Sequence, residues 1–162
     1  MAFHYKLEAD VEIKPTAEQF YRTFRRRAHQ VSNVAPTRIQ KVTVHQGVWE
    51  THGSVKVWNL TALGVAETFK EKVELDEESK TVRLVGLEGD LFNHYKSYVV
   101  TLKVIPKGQG GVVKLTIELE KLKEDAADGY KYLDFGIGEI LTLILLRHEG
   151  RWISVINAKF LI

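Results

Sequence analysis

The sequence predicts an α+β fold in which a curved, seven-stranded antiparallel sheet surrounds a C-terminal helix, with two short helices between strands 1 and 2. Three observations lead to this prediction. Residues 6–13 alternate apolar and charged side chains, which is the period of a half-buried strand. Residues 38–122 hold six more strand-like stretches separated by short turns, and short turns join antiparallel neighbours. An apolar stretch then continues to about Arg147.

The first strand, "KLEADVEI", carries its four apolar side chains on one face. Pro15 follows and opens a helical stretch, since proline is favoured in the first helical turn. Pro36 ends this stretch, because the residue before a proline is biased away from helix. We expect a break near Ser32 and Asn33 that leaves two short helices.

Six strands then form a meander, and a last helix follows Asp125. A sheet of seven strands has more inward surface than one helix can cover, so the architecture predicts a cavity between them. Within that helix Gly136 and Gly138 each weaken helix formation by roughly 1 kcal/mol relative to alanine. The six strands read "RIQKVTVH", "SVKVWNLTALG", "VAETFKEKVELD", "KTVRLVGLE", "HYKSYVVTLKVIP" and "VVKLTIELEKL".

Composition limits the classes of function. A chain of 162 residues is one domain, spanning 1–162, and its 44% hydrophobic and 27% charged residues are typical of a globular protein. A net charge of +2 does not indicate nucleic-acid binding. Cysteine is absent and no metal-ligand spacing occurs, so we expect no metal and no cofactor. Residues 1–10 lack a signal sequence and the apolar run at 137–146 is too short to span a bilayer, which predicts a cytoplasmic protein.

Alternation also assigns the strand faces. The two strands at 94–106 and 112–122 present an apolar inner wall, while Lys103 and Lys114 point outward. Glu67 and Glu71 share the parity of Phe69 and therefore face inward. A buried carboxylate is costly unless it is paired. One alternative is that a twist or an edge position leaves both groups in solvent, or that a tyrosine or arginine satisfies them. The other is that Glu71 receives a polar group of the ligand, with a raised pKa, and acts as a general acid or base.

His94 is the other catalytic candidate, because it has the parity of Tyr98 and follows the turn at Glu88-Gly89-Asp90. We place His94 at the mouth of the cavity. That turn lacks the Gly-Lys-Ser/Thr that a phosphate-binding loop needs. No Ser-His-Asp order or nucleophile elbow is present, so no catalytic residue is assigned.

Several stretches resemble a known family. "HQGVWETHGSVKVWN", "ETFKEKVELDEESKTVRLVGLEGDLFNHYKSY" and "LEKLKED" followed by "YKYLDF" are similar to the major latex proteins of plants. These belong to the birch-pollen-allergen, or pathogenesis-related class ten, superfamily, which has the START-like helix-grip fold. The resemblance covers about residues 5–135, whereas 136–162 is more apolar and diverges.

This resemblance implies a cavity between the sheet and the C-terminal helix that holds a small hydrophobic ligand such as a sterol, phenolic, alkaloid, hormone or lipid, in a defence or stress response. The alternative is an isomerase or condensing enzyme of specialised metabolism. We expect a monomer or weak homodimer. We expect it to bind no nucleic acid and not to span a membrane. Within the family's frame, the predicted ligand-binding residues are Phe69, Glu71, Val82, Leu84, Tyr98, Val100, Leu102, Leu115, Ile117, Phe135 and Ile140.

Overall fold

The computed structural model describes residues 3–49, 51–126, 129–147 and 158–161. Its helices and strands follow the predicted order. The strands are β1 (Phe3–Ile13), β2 (Ile39–Gln46), β3 (Val55–Ala62), β4 (Val65–Asp76), β5 (Thr81–Gly89), β6 (Tyr95–Lys107), β7 (Gly110–Lys121) and β8 (Ala158–Leu161). The α-helices are α1 (Ala17–Arg27), α2 (Val31–Val34) and α3 (Tyr130–Arg147).

The strands form one antiparallel sheet in the order β2-β3-β4-β5-β6-β7-β1-β8. The seven predicted strands, the two helices between β1 and β2, and the C-terminal helix are all confirmed. The eighth strand comes from the divergent C-terminal stretch, where Ala158–Leu161 pairs with Glu8–Val11 of β1. It supplies hydrogen-bond partners to an edge strand, which would otherwise expose unpaired backbone groups.

The helical region after β1 begins just after Pro15, which precedes the N-cap and is not in the first helical turn, and it breaks earlier than predicted. Thr16 is the N-cap of α1 and forms a capping box with Gln19. The break is a 3₁₀ turn at Ala28–Gln30, and α2 then runs through Ser32 and Asn33. A 3₁₀ turn eclipses residues three apart. It therefore keeps Ala28 and Val31, each 1% exposed, in the core.

Helix α3 lies on the concave face of the sheet, against β1, β3 and β7, and also contacts α1 and α2. It begins after Gly129, whose φ of +87° is in the left-handed region that favours glycine. A Cβ at this position would lie 2.7 Å from a Leu119 side-chain atom, so the tight entry also depends on glycine. Among the described residues, no helix is long and apolar enough to cross a membrane.

Candidate functional site

A cavity lies between the inner face of the sheet and helices α1, α2 and α3. The space open to the centres of water molecules in this cavity is about 100 Å³. One water needs about 10–15 Å³ measured in this way, so the cavity has room for several waters or a small ligand. The wall is mostly apolar and aromatic. It is formed by Phe24, Ala28, Val31, Trp58, Leu60, Glu67, Phe69, Glu71, Leu84, Leu91, Tyr98, Val100, Leu102, Leu115, Tyr132, Phe135, Gly136, Glu139 and Leu143.

Most of the predicted ligand-binding positions lie on this wall. Val82, Ile117 and Ile140 do not, although each is at most 2% exposed. Strand parity gives the face of Val82 and Ile117 but not whether a residue on that face borders the cavity, and Ile140 is predicted only from its place in the last helix. All three belong to the hydrophobic core. Ligand contact stays a prediction for the positions that line the cavity: Phe69, Glu71, Leu84, Tyr98, Val100, Leu102, Leu115 and Phe135.

Glu71 is a buried carboxyl group on the sheet wall, with 2% of its surface exposed. Its Oε1 accepts a hydrogen bond from Trp58 Nε1 at 2.7 Å. Lys56, which is also buried, is its cross-strand partner on β3. Burial raises the pKa of Glu71 to about 7, even though the Lys56 charge and the Trp58 hydrogen bond lower it. Glu71 therefore changes charge near neutral pH inside the cavity.

Glu67 lies four residues before Glu71 on the same strand, and its Oε1 accepts a hydrogen bond, whereas its buried Oε2 accepts none from the described residues and has only an ion pair. Tyr132 of α3 donates its hydroxyl to Glu67 Oε1 at 2.6 Å. Lys131 Nζ lies 3.1 Å from Glu67 Oε2 and forms an ion pair with it. Of the two alternatives for the inward carboxylates, satisfaction by a tyrosine thus describes Glu67, and these contacts connect β4 to the first turn of α3.

Glu139 on α3 is a third carboxyl group on the wall, and the sequence interpretation missed it as a site residue. Its Oε1 is buried and accepts no hydrogen bond from any residue that the structure describes. The pKa of Glu139 is raised to about 8, chiefly by burial; the Arg38 charge opposes this rise and the negative charge of Glu71 adds to it. Helical periodicity could have identified Glu139, because Tyr132, Glu139 and Leu143 are spaced so that they lie on one face of α3, which lines the cavity.

Arg38, just before β2, reaches over α3 next to Glu139. Its Nη2 donates to the carbonyl oxygen of Phe135 at 2.7 Å, and its guanidinium carbon lies 5.1 Å from the centre of the Phe135 ring. A Cβ on Gly138 would be 1.5 Å from Arg38 Nη1, so the side chain passes where only glycine leaves space. Gly138 thus weakens helix propensity and at the same time permits this contact.

His94 does not lie in the cavity. Its side chain is exposed, and its ring makes an edge contact with Tyr95, with 6.3 Å between centres. The pairing of β6 with β7 shifts register between Tyr95 and Ser97, which leaves Lys96 as an extra residue. Such a bulge inverts the alternation. The parity that placed His94 beside Tyr98 is therefore wrong for the residues before the bulge, and Tyr95 is the inward side chain there.

The glycine-rich turn between β5 and β6 has a structural role in the sheet. Asp90 Oδ2 accepts a hydrogen bond from the Thr68 backbone N–H at 2.7 Å. Gly89 has a φ of +142°, and a Cβ there would lie 2.3 Å from the Thr68 carbonyl oxygen. The Asp90 carboxylate therefore ties this turn to the backbone of β4. Within the described ranges, no group of three or more His, Asp or Glu side chains could hold a metal ion.

Comparison with known sequences gives two findings. The model of the pathogenesis-related protein Bet v 1 family matches residues 2–144. MLP-like protein 34 of Arabidopsis thaliana is 40% identical over 134 residues, which are 81% of this chain and 42% of that protein. The chain thus spans less than half the length of this relative.

Solved structures with the same fold include proteins of different sequence similarity. The major latex-like protein 151 of Panax ginseng has a TM-score of 0.82 at 35% identity, over 90% of this chain and 98% of its own. Norcoclaurine synthase of Thalictrum flavum, solved with dopamine and hydroxybenzaldehyde, has a TM-score of 0.69 at 17% identity, over 91% of this chain and 89% of its own. At 17% identity the second similarity concerns the fold alone.

Proposed function

This chain belongs to the pathogenesis-related protein Bet v 1 family, and from that premise we propose that it is a cytoplasmic plant protein that carries or stores a small hydrophobic ligand. The ligand would occupy the cavity between the sheet and α3, in a defence or stress response. One observation carries the proposal: the wall is apolar and aromatic except for a few convergent polar groups, which is the usual composition of a small-molecule pocket.

A ligand screen by thermal shift tests this proposal. A compound that binds only the folded state raises the melting temperature by mass action. We expect sterols, phenolics, alkaloids, hormones or lipids to include compounds that raise it in the wild-type protein. The screen should be run at a fixed ligand concentration in excess of protein, because the size of the shift depends on free ligand.

Two substitutions on the same strand locate the binding. Val100 lines the cavity, and Lys103 is exposed on the opposite face of β6. Val100→Arg should fill the cavity with a charged side chain and abolish the thermal shift, whereas Lys103→Glu should retain it. Circular dichroism verifies that both variants are folded. Equal loss of binding in the two variants would contradict a site between the sheet and α3.

An enzyme of specialised metabolism, such as an isomerase or condensing enzyme, is the second candidate. The observation that favours it is Glu71, whose pKa of about 7 suits a group that takes up and releases a proton at neutral pH. Glu71→Gln keeps the shape of the side chain and removes its titration. A carrier should retain most of its affinity for a neutral ligand, while an enzyme that uses Glu71 should lose about 10²- to 10⁴-fold in rate.

A further inference from the structure

Six of the seven exposed large apolar side chains among the described residues lie at one end of the molecule. The antiparallel register brings the β3–β4 turn, the end of β5, the start of β6, the end of β7 and the start of β1 to this end. Tyr132 bonds to Glu67 and so brings the start of α3 there as well. The six side chains are those of Tyr5, Leu63, Val65, Leu87, Leu122 and Tyr130. The seventh, Val48, lies in the β2–β3 connection at the opposite end.

The most exposed of the six belong to the turn between β3 and β4, residues 63–66, which we call the hairpin tip. Leu63 is 73% exposed and Val65 is 53% exposed, and the other two residues of the tip are exposed as well. Residues 57–66 contain no charged side chain, although 27% of the chain is charged. Exposed apolar surface of this kind marks contact with another protein or with a membrane.

The backbone of the tip does not favour the leucine that it carries. Leu63 and Gly64 have φ values of +47° and +78°, which is the pattern of a type I′ turn. Such turns favour asparagine or aspartate before the glycine, and a positive φ is uncommon for leucine. The Leu63 side chain is in solvent, so packing within the fold does not explain its presence. Contact with a surface outside the chain does.

The size of the tip favours a lipid bilayer over a protein partner. Each side of a stable protein complex buries roughly 800 Å² over about 20 residues. A tip of four residues is far smaller than that, and its outer surface is convex because it is the end of a hairpin. A bilayer needs no complementary shape, and each apolar side chain that enters its apolar region contributes separately.

The side chains around the tip suit the headgroup layer of a neutral bilayer. Charges of both signs adjoin the other exposed apolar residues at this end, since Glu88 follows Leu87 and Lys123 follows Leu122. The two exposed tyrosines are of a residue type that is enriched at membrane–water interfaces. Charges of both signs match zwitterionic headgroups, whereas an anionic surface attracts clusters of lysine and arginine.

We propose that the hairpin tip inserts Leu63 and Val65 into the surface of a phosphatidylcholine bilayer and thereby docks the protein reversibly, end-on, on membranes. The residues around the tip then lie at the level of the headgroups. This docking surface goes beyond the proposed function and does not depend on what the cavity holds, because neither Leu63 nor Val65 lines the cavity.

Flotation with vesicles of pure phosphatidylcholine tests the proposal. The wild-type protein should float with the vesicles, and replacing part of the lipid by phosphatidylserine should change its affinity by less than about threefold. Leu63→Asn should lower the affinity about tenfold or more, because it removes the transfer of a leucine side chain out of water. Val48→Asn, which changes an equally exposed apolar residue at the opposite end, is the matched control and should leave the affinity unchanged.

Leu63→Asn should not fail through misfolding. Asparagine adopts positive φ more readily than leucine, so the variant should unfold at a urea concentration at least as high as the wild-type protein does. It should also keep any thermal shift that a cavity ligand produces. Loss of vesicle binding with that shift retained therefore separates the docking surface from the proposed function.

A second measurement locates the insertion with a fluorophore. The chain has no cysteine, so Ala66→Cys and Val48→Cys each give one labelling position, at the tip and at the opposite end. A polarity-sensitive label at position 66 should shift its emission to shorter wavelength when vesicles are added, and the label at position 48 should not.

The proposal is overturned if the wild-type protein does not bind phosphatidylcholine vesicles, or if Leu63→Asn and Val48→Asn lower the affinity equally. Binding that requires phosphatidylserine would also overturn it, because an electrostatic surface and not the tip would then hold the protein. Self-association that Leu63→Asn abolishes, without vesicle binding, would assign the tip to a second copy of the chain instead.

Discussion

Trp58 donates its indole N–H to the carboxylate of Glu71 at 2.7 Å, across the pairing of β3 with β4. In that pairing Trp58 lies opposite Phe69 and Lys56 lies opposite Glu71, so the bond joins diagonal neighbours on the inner face. Burial raises the pKa of Glu71, and this bond opposes the rise. The resulting value of about 7 therefore depends on a side chain of the neighbouring strand.

Trp58→Phe should raise the pKa of Glu71 above about 7. Phenylalanine keeps an aromatic ring on the wall and removes the donor, so the ionised carboxylate loses its hydrogen bond. Carbon-13 NMR titration of the Glu71 carboxyl carbon measures the change. Trp49, which stacks on His29 outside the cavity, offers the control, and Trp49→Phe should leave the titration of Glu71 unchanged. A pKa that is unchanged or lower in Trp58→Phe would show that the hydrogen bond does not set it.

Stability should decrease as the pH rises through the titration of Glu71. The folded pKa of about 7 is above the ordinary value of 4.5, so the folded state binds this proton more tightly than the unfolded state. The resulting stabilisation is complete below about pH 4.5 and is lost as the pH rises to about 7. Glu71→Gln removes this contribution. The free energy of unfolding of the variant relative to wild type should therefore increase between pH 4.5 and pH 8, by on the order of 1–3 kcal/mol.

Urea unfolding of both proteins at several pH values provides the measurement. At each pH the free energy of unfolding of the variant is compared with that of the wild-type protein, so the contributions of the carboxylates that both proteins share cancel. Glu118→Gln, which removes an exposed carboxylate on β7, is the matched control for the loss of one carboxyl group. A constant difference for Glu71→Gln would mean that Glu71 has the same pKa in the folded and unfolded states.

Gly138→Ala should stabilise the protein only when Arg38 is absent. Alanine stabilises a helix by roughly 1 kcal/mol relative to glycine, but its Cβ would displace the Arg38 guanidinium from the Phe135 carbonyl and ring. In the wild-type background the two effects oppose one another, so the substitution should be neutral or destabilising. In an Arg38→Ala background it should stabilise by about 1 kcal/mol.

A double-mutant cycle of urea unfolding midpoints measures this coupling. Gly136→Ala serves as the comparison on the same helix, since a Cβ there would meet a Leu115 methyl at 3.0 Å and not the arginine. Its effect should be the same in both backgrounds. Additive effects of Arg38→Ala and Gly138→Ala would contradict the close approach of the arginine to the helix.

The sequence determined most of the sheet and the faces of its strands. Alternation has a period of two, and short turns force consecutive strands to run antiparallel, so the meander from β2 to β7 and its inner wall follow from local pattern. Glu71 was placed inward in this way, and so were Val100 and Leu115. Lys103 and Lys114 are exposed, as the same alternation predicts. The pairing of β1 with β7 and with β8 joins residues that are distant in sequence, and no local pattern predicts it.

Only the tertiary structure decided which polar groups share the cavity. A bulge at Lys96 reverses the alternation and places His94 outside, and a bulge depends on how two strands pair rather than on either strand alone. Glu139 enters the cavity because α3 crosses the sheet in one orientation, with Tyr132 bonded to Glu67 and Arg38 lying over Gly138. These contacts join residues 65 and about 100 positions apart, and no local periodicity encodes such distances.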